Sequence, residues 1–490
     1  MKISIQGNVN EYYVQTLCML FFPGVHFAKT QQAENDPYSA EVLIVEEGDG
    51  VTATVTLSDG TATQTRSHHE ERHNDERVST ERIACGKAFL NAGKALTKIT
   101  PSWGILTGVR PAKLALSRLM DGKTKAQTRA SLASEYLVSS KKAVLVTDIA
   151  AVEKKIISGV APNSCSIYIS VPFCPSRCSY CSFVSFTSAK LLGLLDSYLD
   201  RLCRDLEACI ARIRRLGLSI ATVYIGGGTP TTLDEKQLAK LLDTVTAHID
   251  PASIEEFTVE AGRPDTITEE KLRIIKEHGV TRVSINTQTL NDDVLELIGR
   301  RHTAADFYRA FDMARTVGIP IINTDLIAGL PGEGFGSFSE TIDEIIRMRP
   351  ENLTFHTLCI KNAADFAQNR NELGTTGGTA KCVDYAQLSA KNAGYIPYYI
   401  YRQKNTVENL ENVGFALPGT EGRYNIYMME EIHSIFAVGA GAVSKLVSRD
   451  GSHIERIFEY KYPYEYLADT SGVKNAEKDR MTEDFYQKVW

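Results

Sequence analysis

Three cysteines stand close together in the stretch Tyr168-Ile-Ser-Val-Pro-Phe-Cys174-Pro-Ser-Arg-Cys178-Ser-Tyr-Cys181. They follow a short apolar alternation, residues 166–171, that reads as a strand. Pro172 and Pro175 end that strand and oppose a helix through Cys174. A loop that leaves a strand carrying three thiolates can grip one face of a metal cluster. A 4Fe–4S cubane has four irons, so three cysteines leave one iron without a protein ligand, and chemistry can happen there. Two other readings use the same residues. One is a helix face of buried thiols, which the prolines disfavour. The other is a structural zinc site, which wants four N or S ligands. The nearest further candidate for that is Cys165, on the far side of the strand, and no close Cys-x-x-Cys partner follows.

The elements that must position this loop are legible between about residues 161 and 375. Strand-like runs at 166–171, 221–225, 255–260, 282–285, 321–327 and 352–357 alternate with helical runs at 190–216, 234–248, 268–278, 304–317 and 336–348. Such alternation implies a parallel sheet, and Val/Ile-rich strands are those expected to be buried on both faces. Parallel sheets carry function at the carboxyl ends of their strands. The remaining polar motifs fall there. Gly226-Gly-Gly-Thr-Pro230 follows the second strand, and consecutive glycines allow close backbone approach and amides that can bind an anion. It is not a phosphate loop, because Gly-Lys-Ser/Thr is absent. Glu260 ends the third strand, where a carboxylate suits an ammonium. Asn286 and Gln288 follow the fourth. Ile298-Gly-Arg300-Arg301-His302 places cations at a helix end, and the fifth strand runs into Asp325-Leu-Ile-Ala-Gly-Leu-Pro-Gly-Glu333. Taken singly, each polar residue serves equally well as a cap or a structural hydrogen bond. On successive strand ends they form the walls of one site.

The flanks are plainer. Residues 1–98 read as a small α/β domain: a strand at 2–6, a helix at 12–22, and a hairpin of 41–46 with 51–57. The charged run 66–82 carries His68, His69 and His73 and reads as a solvated helix face rather than a metal cluster. Residues 99–160 read as a helical connector, with helices at 113–120, 127–135 and 143–157. Arg110 and Lys113 in it are either surface charge at a helix start or a cation pair facing an anionic ligand. The C-terminal extension, 376–490, contains Tyr395-Ile-Pro-Tyr-Tyr-Ile-Tyr-Arg402-Gln-Lys404-Asn405 and holds a small-residue turn at 438–442. The first of these is either an aromatic strand or a surface for a planar anionic ligand.

Composition narrows the class. A chain of 490 residues is too long for one core, so several domains are expected. The net charge of −6 and the lack of basic clusters argue against a nucleic-acid partner. Ten scattered cysteines do not make a secreted disulfide framework, so the expected compartment is reducing and cytoplasmic. The start, Met1-Lys-Ile-Ser-Ile-Gln-Gly, lacks the pattern of a signal peptide. The apolar run 12–22 is too short to span a bilayer, so no membrane span is expected.

Cys-x3-Cys-x2-Cys after a strand, followed by Gly-Gly-Gly-Thr-Pro, resembles the radical S-adenosylmethionine superfamily. Residues 168–174, 226–230, 300–302 and 325–331 resemble the oxygen-independent coproporphyrinogen III oxidase family in particular. The length, the N-terminal extension and residues 103–113, 258–266 and 401–414 resemble its HemZ-type branch. The resemblance spans about 100 to 445. It implies an α/β fold built on a partial (β/α)6 TIM-like barrel at 161–375, with a small N-terminal α/β domain and a C-terminal α+β extension that covers the substrate.

It also implies roles. Cys174, Cys178 and Cys181 would hold a 4Fe–4S cluster, and S-adenosylmethionine would chelate the fourth iron. Electron transfer from the cluster would cleave the sulfonium to a 5′-deoxyadenosyl radical. Gly227, Gly228 and Thr229 match positions beside the methionine moiety, and Glu260 the residue that takes its ammonium. Gln288, Arg300 and Asp325 match further cofactor contacts, and Tyr168 and Tyr180 match residues lining the cofactor. The implied reaction is oxidative decarboxylation of coproporphyrinogen III propionates to vinyl groups. Its partners would be a tetrapyrrole and an electron donor such as flavodoxin or ferredoxin. Tyr168, Arg402 and Lys404 are the candidate catalytic residues, the last two as cations for substrate propionates. Two positions depart from the oxidases. Phe183 replaces a fourth cysteine, and Ser170 replaces a histidine just before the first one. Both changes resemble the related heme-chaperone branch, and other relatives open the heme ring by methyl transfer.

Overall fold

The computed structural model describes residues 1–27, 36–73, 79–181, 185–359, 378–404 and 406–489. Phe183, Asn405 and the expected boundary at 375/376 lie outside the described residues. The chain forms two compact units. One is residues 1–151 with 401–409, and the other is 152–400 with 410–490.

The first unit is built on a four-stranded sheet of β1 (Lys2–Gln6), β2 (Ser39–Glu47), β3 (Gly50–Ser58) and β4 (Thr63–Glu71), in that order. β1 runs parallel to β2, and the other pairs are antiparallel. The alternation in β3 buries Val51, Ala53, Val55 and Leu57, and the helices Glu11–Phe21 and Thr80–Thr97 supply Val14, Leu17, Ala84, Ala88 and Phe89 to the same core. Asn10 and Ser79 cap these helices by accepting from Tyr13 N and Arg82 N.

The charged run departs from the sequence expectation. Residues 63–71 form the edge strand β4, not a helix. Tertiary pairing to β3 overrides the polar pattern, because an edge strand needs no apolar alternation on its solvent side. His68 and His73 both face Glu70, which also pairs with Lys87 at 2.7 Å.

The second unit holds an eleven-stranded sheet. Six strands run in chain order and parallel: β5 (Ser164–Val171), β6 (Ser219–Gly227), β7 (Glu256–Glu260), β8 (Arg282–Ser284), β9 (Ile321–Ala328) and β10 (Asn352–Thr357). Helices Leu195–Arg215, Glu235–His248, Glu269–Glu277, Ala304–Val317 and Phe335–Met348 follow the first five. The expected helix at 190–216 is broken, since a single turn, Ala189–Leu192, precedes Leu195–Arg215. Gly193 and Leu194 between them carry no side-chain cap.

Residues after 395 lengthen this sheet at both ends. β11 (Ile396–Arg402) and β12 (Glu411–Ala416) sit beyond β10, with β12 antiparallel to it. β13 (Ile435–Val438) lies parallel to β5, followed by antiparallel β14 (Val443–Val447) and β15 (Ile454–Phe458). The small-residue turn after β13 follows from this contact. A Cβ on Gly439, whose φ is +94°, would lie 2.5 Å from Ser170 O. Among the described residues, no helix is long and apolar enough to cross a membrane.

Candidate iron–sulfur and cofactor site

The cysteine loop is fixed from several sides before any ligand is considered. Phe173 is fully buried and packs edge-on against Tyr198, with ring centroids 5.1 Å apart. The Tyr198 hydroxyl donates to Ser170 O at 2.9 Å and accepts from Ala440 N at 2.8 Å. It thereby ties the helix Leu195–Arg215 to β5 and to the turn after β13. Ser170 itself donates to Ala440 O at 2.9 Å, so the residue standing where a histidine was expected serves that same turn. The loop closes on itself through Phe186 N to Pro172 O at 2.9 Å and Cys174 N to Phe186 O at 3.1 Å.

The glycine run packs against this loop. A Cβ on Gly228 would lie 2.6 Å from Phe173 O, and one on Gly227 would lie 2.9 Å from Ser170 Oγ. Gly228 N donates to Val171 O and Thr229 N to Phe173 O, at 2.9 and 2.8 Å. The expectation that the glycine amides bind an anion is therefore corrected for Gly228, and Thr229 N is engaged likewise. Both N–H groups are spent on the cysteine loop, and glycine is needed because the two loops nearly touch.

The three sulfurs interact with one another. Burial first, then Cys181 and Cys178, push the Cys174 thiol up to about 11, while Thr229 and Arg263 pull the other way. Thr229 Oγ1 lies 3.4 Å from Cys174 Sγ, and Arg263 Nη1 donates to Cys178 Sγ at 3.5 Å. Three neighbouring thiolates without a counter-charge repel one another. An iron–sulfur cluster supplies that charge, so the donor set fits the group it was expected to hold. Among the described residues, no three His, Cys, Asp or Glu side chains surround a single metal ion. A cubane asks for something different, one thiolate on each of three irons. Cys165, the spare thiol of the zinc reading, is buried in β5 with Cys209 as its neighbour.

The polar residues near the strand ends form two hydrogen-bonded groups, and Asp325 in one acts electrostatically on Glu260 in the other. The Tyr224 phenol on β6 donates to Glu260 Oε1 at the end of β7. Burial pushes the Glu260 carboxyl up to about 7, Tyr224 works against that shift, and Asp325 adds to it. Asn286 donates to Asp325 Oδ2 at 3.0 Å and accepts from Asp325 N at 3.1 Å. Burial opposes the Asp325 carboxylate, but His356 at 3.6 Å, Asn323 and Thr354 outweigh it and hold the group below its ordinary range. Arg300 donates to Tyr180 Oη at 2.9 Å, to Gly262 O at 3.0 Å and to Asn286 O at 3.2 Å. Gln288 is buried with φ +75°, and its backbone bridges Asp325 O and Ile327 N. A glutamine in the left-handed region costs about 1–3 kcal/mol and marks a locally over-determined position. Tyr168, Tyr224, Glu260, Asn286, Asp325 and His356 keep partial solvent access, whereas most of their strand neighbours have none. Their side chains can thus meet a ligand.

The structure therefore gathers Tyr168, Tyr180, the glycine run, Glu260, Gln288, Arg300, Asp325 and the three cysteines in the second unit. It adds residues that sequence reasoning passed over. Tyr224 and Tyr424 stack with ring centroids 4.4 Å apart, and both also stack on Tyr168. Tyr224 stands opposite Tyr168 in register and His356 lies two residues beyond the partner of Asp325 on β10, so strand alignment was the available signal. Arg263, three residues beyond Glu260, had no such signal. His302 is buried, and burial and then Arg300 lower its pKa to about 3, so it is a neutral imidazole near pH 7.

Arg402 and Lys404 belong to the first unit. Arg402 is 8% exposed, donates to Leu106 O and Asn409 O, and lies over the Trp103 ring. Lys404 is exposed, with Nζ 3.6 Å from the centroid of Tyr12.

Residues 168–345 match the Radical SAM superfamily model. The chain is 39% identical over 383 residues to the oxygen-independent coproporphyrinogen-III oxidase-like protein HemZ of Bacillus subtilis, covering 77% of this chain and 76% of that protein. It is 32% identical over 322 residues to the heme chaperone HemW of the same organism, covering 64% of this chain and 80% of that protein. Among solved structures, the coproporphyrinogen III oxidase HemN of Escherichia coli, a radical SAM enzyme, aligns with a TM-score of 0.51 at 19% identity. That alignment covers 66% of this chain and 73% of HemN, and it shows the shared fold.

Proposed function

The chain belongs to the radical SAM superfamily and, within it, to the oxygen-independent coproporphyrinogen-III oxidase-like family of HemZ, and on that basis we propose that it oxidatively decarboxylates coproporphyrinogen III. The observation that carries this reading is the set of strand ends next to the cysteine loop, with the partly accessible carboxyls of Glu260 and Asp325 close enough to influence each other electrostatically. Cys174, Cys178 and Cys181 would hold the cluster. When bound, the cluster and S-adenosylmethionine together supply a carbon radical able to take a hydrogen atom from a substrate carbon.

The chain's own residues prepare that site. Tyr224 holds one oxygen of Glu260 and leaves the other to receive an ammonium group. Asp325, kept ionised by its neighbours, can accept from hydroxyl donors such as those of a ribose. Arg300 locks Tyr180, Gly262 and Asn286 together and so ties the cysteine loop to the segments that follow β7 and β8. Arg402 and Lys404 are the proposed cations for substrate propionates. An external one-electron donor of the flavodoxin or ferredoxin class would reduce the cluster.

A second reading, heme binding and delivery, is favoured by the likeness to HemW. Ring-opening methyl transfer on heme is the remaining chemistry of this family. One experiment separates the three: anaerobic, reconstituted protein is given coproporphyrinogen III and heme in parallel, and the products are analysed. Protoporphyrinogen supports the oxidase. Deoxyadenosine without protoporphyrinogen rejects it. Stoichiometric heme binding without turnover supports delivery, and loss of heme supports ring opening.

A further inference from the structure

We propose that Arg263 is a positioning residue that sets the reduction potential of the cluster by donating to the sulfur of Cys178. The inference rests on the reading of Cys178 as a cluster ligand. Arg263 is 3% exposed. Its Nη1 donates to Cys178 Sγ at 3.5 Å and to Ser176 O at 3.3 Å, and its Nη2 donates to Ser176 Oγ at 2.9 Å. Nε and Nη2 also donate to the two oxygens of Asp265, at 3.1 and 3.3 Å. The guanidinium is thus held in a fixed fork, with one N–H aimed at a thiolate sulfur.

Such a bond has a defined electrical effect. A guanidinium does not lose its proton in a protein. A hydrogen bond to a ligand sulfur draws density from it, and the reduced cluster, carrying one more negative charge, is stabilised more than the oxidised one. Asp265 offsets the charge of Arg263 at short range. Its carboxylate opposes cluster reduction while the Arg263 N–H favours it. The two residues therefore act on the potential with opposite signs. A role limited to bracing the loop would not separate them in this way.

The test is an anaerobic redox titration of the reconstituted full-length protein, followed by the electron paramagnetic resonance signal of the reduced cluster, with iron content measured alongside. Arg263→Gln is expected to move the midpoint to lower potential, and Asp265→Asn to move it to higher potential, both at wild-type iron content. Midpoints equal to wild type in both variants would overturn the inference while leaving the cluster reading intact, as would shifts in the same direction. Should Arg263→Gln lose its cluster altogether, Asp265→Asn still decides: an unchanged or lowered midpoint rejects the proposal. A wild-type protein that takes up no cluster rejects the underlying reading itself.

Discussion

The Tyr224 phenol donates to Glu260 across neighbouring parallel strands, and Gly226 leaves room for the pair. A Cβ at Gly226 would lie 2.9 Å from the Tyr224 ring and 3.0 Å from Glu260 Oε2. The bond stabilises the ionised carboxyl against a burial that pushes it up to about 7. An ammonium ligand binds the carboxylate and not the acid. The affinity of S-adenosylmethionine is therefore expected to fall as pH drops below about 7, by up to tenfold per unit. Titration of cofactor binding between pH 6 and 8 checks this. Glu260→Gln should bind weakly and lose this dependence, and an unchanged profile in that variant rejects the assignment. Tyr224→Phe should move the midpoint upward and weaken binding at pH 7, by roughly tenfold for the loss of a hydrogen bond to a charged group. The raised value also carries a stability sign. The protonated carboxyl favours the folded state most below its unfolded value of about 4.3, and that contribution is lost as pH rises through about 7.

Cys178 is buried and receives the Arg263 bond, so its removal strips both an iron ligand and the partner of a buried cation. Cys178→Ala is expected to abolish the iron–sulfur absorbance and all turnover. Retention of a full cluster with full activity refutes the ligand assignment.

Much of the second unit could be read from the chain because its strands declare themselves locally. The six Val/Ile-rich runs and the helices between them need no long-range information; Glu260 stands where its strand ends, Gln288 follows β8, and Asp325 lies in the carboxyl-terminal half of β9. Contacts made at long range were not legible. β13 joins β5 from more than 260 residues away, and only that contact explains Gly439 and the bond from Ser170 to Ala440. Arg263 looks like any arginine before a proline until its side chain is seen under Ser176 and Cys178. The edge strand β4 misled for a different reason. Its partner is on one side only, so its sequence carries charge where a central strand would carry Val and Ile.

The glycine run gives a contrast between two neighbouring loops. Gly228→Ala would force a methyl to within 2.6 Å of Phe173 O and 2.8 Å of Phe173 N. Backbone cannot yield as a flexible side chain does, so the cost is about 1–3 kcal/mol or more. The displaced loop carries Cys174, and iron content after reconstitution should fall together with the melting temperature. Gly262→Ala is the control. Its nearest heavy atom, Asn286 Nδ2, lies 3.6 Å from the new methyl, and iron content should stay at the wild-type level. Equal losses in both variants would reject steric contact with Phe173 as the cause.

Arg402 and Lys404 share a proposed role but differ in what their loss should do. The Arg402 guanidinium serves Leu106 O and Asn409 O and lies over Trp103, all within the first unit. Arg402→Met leaves partly buried carbonyls without that donor, at a cost of about 1–3 kcal/mol each. Its melting temperature should therefore fall whatever the substrate is. Lys404 is exposed, and its Nζ lies over the Tyr12 ring. An exposed cation–π contact is worth only about 0.5–1 kcal/mol, so loss of this one costs little stability. If Lys404 meets a substrate propionate, its loss should raise KM for coproporphyrinogen III several-fold at constant kcat, because uniform binding is removed while the chemical step is not touched. Thermal melts and steady-state kinetics on the two variants separate the effects. An unchanged KM in Lys404→Met dismisses the propionate contact, and a substrate effect is claimed for Arg402 only if KM rises beyond what the lowered stability accounts for.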